Sequence, residues 1–323
     1  MRSIDIHTHL LPRELPRWVG FMRLEPIDEC RARLVREDGT FSREVESNCW
    51  DPKRRLRECD EAEVGMQVLS TVPAMFSYER RGDDLARFLN DHLAGICRDH
   101  PQRFAGLGTL PLQSPELAVR ELERCVRELG LLGVQIGSHV NEWNLSEPAL
   151  FSVFARAADL GAAVFVHPWD MMGQEKMGRY WLPWLVGMPA EVSLAICSLI
   201  FGGVLERLPS LRIAFAHGGG AFPGTLGRIE QGFRCRPDLV AIDNPHPPSR
   251  YLKRIYLDSL VHDPRALKLL LEIFGADRIA LGSDYPFPLG EARPGALIAS
   301  LQLEPAVRER LLSGTAREWL GLK

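Results

Sequence analysis

The stretch Ile4-Asp5-Ile6-His7-Thr8-His9 alternates apolar and polar residues as a β-strand does. Successive side chains on a strand point to opposite faces, so His7 and His9 share one face. Two imidazoles one strand step apart form a bidentate grip for a metal ion. A surface strand can carry the same pair by chance. Its meaning therefore depends on where further ligands fall.

Working outward, short apolar runs at 67–72, 104–110, 133–137, 163–167, 211–217, 255–259 and 278–284 read as seven more strands. Helical patterns lie between them at 52–63, 83–100, 115–129, 147–160, 189–207, 221–233 and 264–274, with short helices at 304–312 and 314–320. Strands that are apolar throughout and separated by helices argue a parallel sheet covered on both faces. Eight such units in 323 residues predict one (β/α)8 TIM barrel spanning 1–323. The alternative is an open doubly wound sheet, which would show a glycine-rich phosphate turn after the first strand. This chain has His-x-His there.

Residues 13–50 break the repeat. The runs 32–36 and 41–45 flank Glu37-Asp38-Gly39-Thr40, and Asp-Gly between two alternating runs is a hairpin signal. This predicts a small β-rich insertion after strand one, over the active mouth. Arg43 on that insertion therefore has a route to the site. Its ordinary reading is a solvated hairpin charge.

The composition is that of a globular enzyme, 46% hydrophobic and 25% charged. A net charge of -3 with interspersed signs implies no broad basic field, which argues against nucleic acid as a partner. No uninterrupted apolar run of about 18 residues occurs, so no membrane span is expected. The seven cysteines are widely spaced without a CxxC pair, which indicates neither a disulfide framework nor a cysteine zinc site. With no apolar leader, a cytoplasmic location is expected.

The polar residues at the carboxyl ends of the predicted strands carry the chemistry. His7 and His9 end strand one, His167 strand five, His217 strand six and Asp284 strand eight. In a barrel these ends converge on one mouth. An isolated histidine in a buried strand is usually a hydrogen-bonded core residue, but five such residues at the same ends point to a shared metal site. Imidazole and carboxylate suit a borderline divalent ion such as zinc, and a catalytic site keeps one position open for water. His217 can serve as ligand or as acid/base. Gly218-Gly219-Gly220 follows it and brings the backbone close to the mouth.

This pattern resembles the amidohydrolase superfamily. Longer motifs resemble one family within it, the 2-amino-3-carboxymuconate-6-semialdehyde decarboxylases. They are Asn48-Cys49-Trp50-Asp51-Pro52, Leu69-Ser70-Thr71-Val72-Pro73, His167-Pro168-Trp169-Asp170-Met171-Met172, and the run from Tyr180 through Trp184, Gly187 and Met188 to Glu191. His217-Gly218-Gly219-Gly220-Ala221-Phe222 and Gly282-Ser283-Asp284-Tyr285-Pro286-Phe287-Pro288-Leu289-Gly290-Glu291 match as well. The likeness runs from residue 2 to about residue 320.

The resemblance implies a metal-dependent, non-oxidative decarboxylase acting on that semialdehyde in kynurenine (tryptophan) catabolism, diverting it from cyclisation to quinolinate. It implies His7, His9, His167 and Asp284 as metal ligands and His217 as the acid/base beside them. Arg43 matches an arginine that binds a substrate carboxylate. Arg228 matches one that enters the neighbouring subunit's site in a homodimer. Trp184, Met188 and Phe287 match pocket-lining positions, with plain core or lid packing as their ordinary reading. Strand four, Val134-Gln135-Ile136-Gly137, offers no lysine for a bridging carbamate, so one divalent ion, expected to be zinc, is implied. The competing readings are a hydrolase cleaving a C–N or C–O bond, a hydroxybenzoate-type decarboxylase on the same scaffold, and a non-catalytic barrel that keeps its metal for structure.

Overall fold

The computed structural model describes residues 3–39, 41–78 and 82–322. Eight parallel strands form its frame: β1 (Ser3–Leu10), β2 (Val64–Thr71), β3 (Phe104–Gly108), β4 (Gly133–Gly137), β5 (Ala163–His167), β6 (Arg212–Phe215), β7 (Ile255–Asp258) and β8 (Ile279–Ala280). They pair in chain order. The Ile6 N–H donates to the Leu281 carbonyl at 2.9 Å, so the first strand meets the last and the ring closes. The TIM barrel expected from the sequence is therefore the fold, and the open sheet is excluded.

The strands read as apolar runs because helices cover their outer faces while side chains fill the ring. On β5, Ala163 and Phe165 join the inner cluster, and Val164 and Val166 pack outward with the helices. The inner cluster is plugged by Trp319, from the terminal helix Thr315–Leu320, whose ring lies 6.0 Å from Phe165. One end of the barrel is thus packed shut, and chemistry is left to the other.

Three departures from the sequence reading have physical causes. The last strand was expected over 278–284, yet the ladder covers only Ile279–Ala280. Beyond it the Ser283 N–H and Oγ both donate to the Asp5 carboxylate, at 3.0 and 2.5 Å, which pulls the chain out of the ladder. Asp284 therefore lies past the strand end, at φ 58, with its N–H donated to the His7 carbonyl at 2.8 Å.

The helix expected over 189–207 is two helices, Met188–Phe201 and Val204–Arg207. They part at Gly202-Gly203, where Gly203 takes φ 69. With the turn Pro183–Gly187 before it, Pro183–Phe201 makes 19 helical residues of mean hydropathy 1.8, long and apolar enough by composition to cross a membrane. Its buried residues Val192, Ala195, Ile196, Leu199 and Ile200 belong to the barrel's outer core, so it serves as a barrel helix.

The segment after β1 carries three antiparallel strands, Met22–Pro26, Arg31–Arg36 and Phe41–Glu46. The sequence reading had two of them. The third is a short run ending in proline, which carries a weak signal. Its Met22 packs with Leu34 and Val45 against Leu11, Val72 and Leu89, which seats the small sheet beside the mouth.

Candidate metal centre and active site

Three imidazoles are oriented from behind. His7 Nδ1 lies 2.7 Å from Asp258 Oδ2 at the end of β7. His9 Nδ1 lies 3.2 Å from the Thr71 carbonyl, and His167 Nδ1 lies 2.7 Å from the Pro168 carbonyl. Each partner is an oxygen acceptor, so in its neutral form each ring carries the proton on Nδ1 and turns its Nε2 lone pair inward.

The inward side is crowded with donors of electron pairs. His7 Nε2 and His9 Nε2 are 3.1 Å apart, and Asp284 Oδ1 is 3.0 Å from His9 Nε2 and 3.4 Å from His7 Nε2. The His7, His9 and His167 rings stand 5.0 to 5.1 Å from one another, centroid to centroid. His167 Nε2 and Asp284 Oδ1 are buried without a hydrogen-bond partner. Facing lone pairs and orphaned acceptors around one point are costly unless a cation joins them. The donor set therefore fits a divalent ion.

His217 enters from the turn after β6, its ring 5.2 Å from those of His7 and His167. Its Nε2 is 3.9 Å from Asp284 Oδ2. The donor atoms of His7, His167, His217 and Asp284 all lie within 4.8 Å of one another, so His217 is close enough to coordinate. It differs from the other three imidazoles in two respects: among the described residues no oxygen holds its Nδ1, and its side chain is 15% exposed. His217 sits at φ 55, and its N–H donates to Asp258 Oδ2 at 2.9 Å.

The electrostatics follow from burial and from this clustering. Burial opposes a charge on His7, but Asp284 and Asp258 outweigh it and raise the group to about 10. Burial lowers His9, and burial with the neighbouring imidazoles holds His167 well below its usual range. Burial pushes Asp284 up, yet the imidazoles around it hold it well below the usual carboxylate range. The result is an ionised carboxylate among imidazoles, two of which are held neutral.

A cavity of about 1390 Å³ opens over this cluster. His9, His167, His217 and Asp284 form part of its floor, and Trp184, Met188 and Phe287 line its wall. Arg43 reaches it from the insertion, with its guanidinium carbon 4.7 Å from the Phe287 ring centroid and 5.8 Å from that of Trp184. Burial lowers the Arg43 pKa from its usual value and Asp284 partly offsets this. Among the described residues Arg43 has no carboxylate within ion-pair distance, so its charge faces the cavity. Arg228 is not brought there. It is exposed on the outward helix Phe222–Cys235.

Supporting residues that the sequence reading passed over complete the site. Asp258 stands behind His7 and His217. Asp5 ties Ser283 to β1, and burial raises its carboxyl to about 7 against those hydrogen bonds. Arg55, fully buried, donates to the His9 carbonyl at 2.7 Å. Trp169 lines the cavity, 5.0 Å from Tyr78, and both crowd Gly137, where a Cβ would meet the Trp169 ring at 2.5 Å. Asp258 was detectable: it lies at the end of a predicted strand, at the same rim as His7, His167, His217 and Asp284.

Comparison with known proteins places this geometry in a family. The amidohydrolase family model matches residues 4–322. The chain is 52% identical to a 2-amino-3-carboxymuconate-6-semialdehyde decarboxylase of Dictyostelium discoideum, over 99% of this chain and 92% of that one. It is 37% identical to the Caenorhabditis elegans protein of the same name, over 92% and 88%. Among solved structures, a 5-carboxyvanillate decarboxylase from Novosphingobium aromaticivorans with bound manganese superposes with a TM-score of 0.79 at 25% identity, over 85% and 83% of the two chains. The chain belongs to the amidohydrolase family and, within it, to the 2-amino-3-carboxymuconate-6-semialdehyde decarboxylases.

Proposed function

We propose that this protein is a metal-dependent, non-oxidative decarboxylase. It converts 2-amino-3-carboxymuconate-6-semialdehyde to 2-aminomuconate-6-semialdehyde and CO₂, in kynurenine catabolism, diverting that semialdehyde from cyclisation to quinolinate. The observation that carries this reading is Arg43, a guanidinium with no carboxylate partner among the described residues, facing the same cavity as an imidazole and carboxylate cluster suited to a cation. The identity of the two curated relatives supports the substrate.

In this reading His7, His9, His167 and Asp284 hold one divalent ion. Zinc is the expected ion on so imidazole-rich a set, and manganese is the alternative that the solved neighbour suggests. When bound, the ion supplies Lewis acidity that withdraws electron density from the reacting conjugated system. Arg43 grips one substrate carboxylate bidentately and orients the chain of double bonds. The bond from carbon to the departing carboxylate breaks, its electron pair stays on carbon, and a proton from His217 takes the vacated position as CO₂ leaves. Trp184, Met188 and Phe287 keep water from the reacting carbon.

The whole chain, 1–323, acts as one barrel domain, with the 13–50 insertion over the mouth. It works as a homodimer in which Arg228 of one subunit completes the other's site. The exposed helix around Arg228 supports this, because Gly224, Gly227 and Gly232 leave open space along it for close approach by a second chain. The seven unpaired cysteines support a reducing, cytoplasmic location.

The test is metal analysis joined to an ultraviolet decay assay and CO₂ measurement on freshly generated semialdehyde. Stoichiometric metal with metal-dependent CO₂ release is expected. Turnover of hydroxybenzoates alone, or hydrolysis without CO₂, would replace the reading by one of its rivals.

A further inference from the structure

Asp258 is fully buried at the end of β7 and takes four hydrogen bonds. Its Oδ2 accepts from His7 Nδ1 at 2.7 Å and from the His217 N–H at 2.9 Å. Its Oδ1 accepts from the Gly218 N–H at 2.7 Å and the Leu260 N–H at 3.1 Å. We propose that Asp258 is a positioning residue that couples the metal centre to the proton-carrying turn, an inference that rests on the roles proposed above for His7 and His217.

The first arm of the coupling is the tautomer of His7. An ionised carboxylate offers only acceptors, so it fixes the imidazole proton on Nδ1 and leaves the Nε2 lone pair for the ion. The second arm is the turn after β6. His217 lies in the left-handed region, which is unfavourable for a residue with a Cβ. Two consecutive N–H groups pointing into one buried carboxylate hold it there. Gly218 follows at φ 60, where a Cβ would meet Val261 Cγ1 at 2.3 Å, so a larger residue there would push the turn out of place. One side chain thus sets where the lone pair of His7 and the ring of His217 stand relative to each other.

An amide cannot replace it. Asn at 258 has one oxygen and one NH₂ group where the carboxylate has two acceptor oxygens. In either orientation the NH₂ faces donors, the His7 and His217 pair or the Gly218 and Leu260 pair. Asp258→Asn is therefore expected to weaken zinc binding 10- to 100-fold, measured by chelator competition. At saturating zinc it should also lower kcat more than tenfold with KM nearly unchanged. Gly218→Ala displaces only the second arm, so it should lower kcat while zinc affinity stays at the wild-type value.

Nitrogen-15 NMR of histidine-labelled, zinc-loaded wild-type protein reads the first arm without any variant at 258: His7 should carry its proton on Nδ1. A proton on Nε2 overturns the inference, as does Asp258→Asn protein that binds zinc as tightly as wild type. Equal loss of zinc affinity in Gly218→Ala overturns it too, because the arms would not be separable. Wild-type protein that binds no zinc or manganese overturns the metal-centre reading itself, a result distinct from any of these.

Discussion

The guanidinium of Arg43 rests against the face of Phe287, 4.7 Å from carbon to ring centroid. This contact joins the insertion that follows β1 to the loop that follows β8, across the mouth. Contacts of this kind contribute about 0.5–2 kcal/mol. Phe287→Leu keeps apolar bulk but removes the π face, and should raise KM roughly fivefold with metal content unchanged. Steady-state kinetics check this. A KM equal to wild type would mean that the ring does not hold the arginine.

His217→Ala should keep its metal and lose roughly 10²- to 10⁴-fold in kcat, the usual range for removing a general acid or base. Three imidazoles and Asp284 remain in place without it. Elemental analysis beside turnover separates the two roles. A drop in metal content that parallels activity would make His217 a ligand.

Arg43→Ala and Arg228→Ala should each be inactive alone, and mixing them after dissociation should restore activity. Random reassortment puts one intact site in half of the dimers, so recovery should approach about a quarter of wild type. Mixed samples as inactive as their parents would show that Arg228 serves no neighbouring site.

Glu58 should give a distinct acid signature. It accepts from the Tyr285 hydroxyl, from Asn48 Nδ2 at 3.0 Å and from Arg54 Nε at 2.7 Å. Burial pushes its carboxyl up, but these donors outweigh it and hold the group below its ordinary value of 4.5. A carboxyl depressed in the folded state stabilises above the unfolded value, and that contribution is lost as pH falls through the folded one. Glu58→Gln should therefore lower Tm by a few degrees at pH 7, with the deficit closing by about pH 3. Thermal melts across that range decide it. A deficit independent of pH would mean that packing, not charge, is lost.

Much of this was legible because buried parallel strands leave little latitude in composition. The run 163–167 is apolar up to its histidine, and it is β5 to the residue. The helix at 264–274 begins at Pro264 after Asp263, whose side chain caps the Arg265 N–H, and its predicted bounds hold. Local signals suffice for such elements. They fail where the deciding partner is distant. β8 ends early because Ser283 finds Asp5, and Asp258 acquires its place from His7, 251 residues earlier. The strand end marks Asp258 as a rim residue, but nothing in the sequence around either pair names its distant partner.

The link between Asp5 and Ser283, 278 residues apart, also dictates when the protein can become active. During synthesis His7 and His9 emerge well before Asp284, the carboxylate that faces them across the mouth. Ion capture by the proposed donor set must therefore follow translation of the segment beyond β8. A ribosome-stalled or prematurely terminated product would keep its first two imidazoles and still be inert.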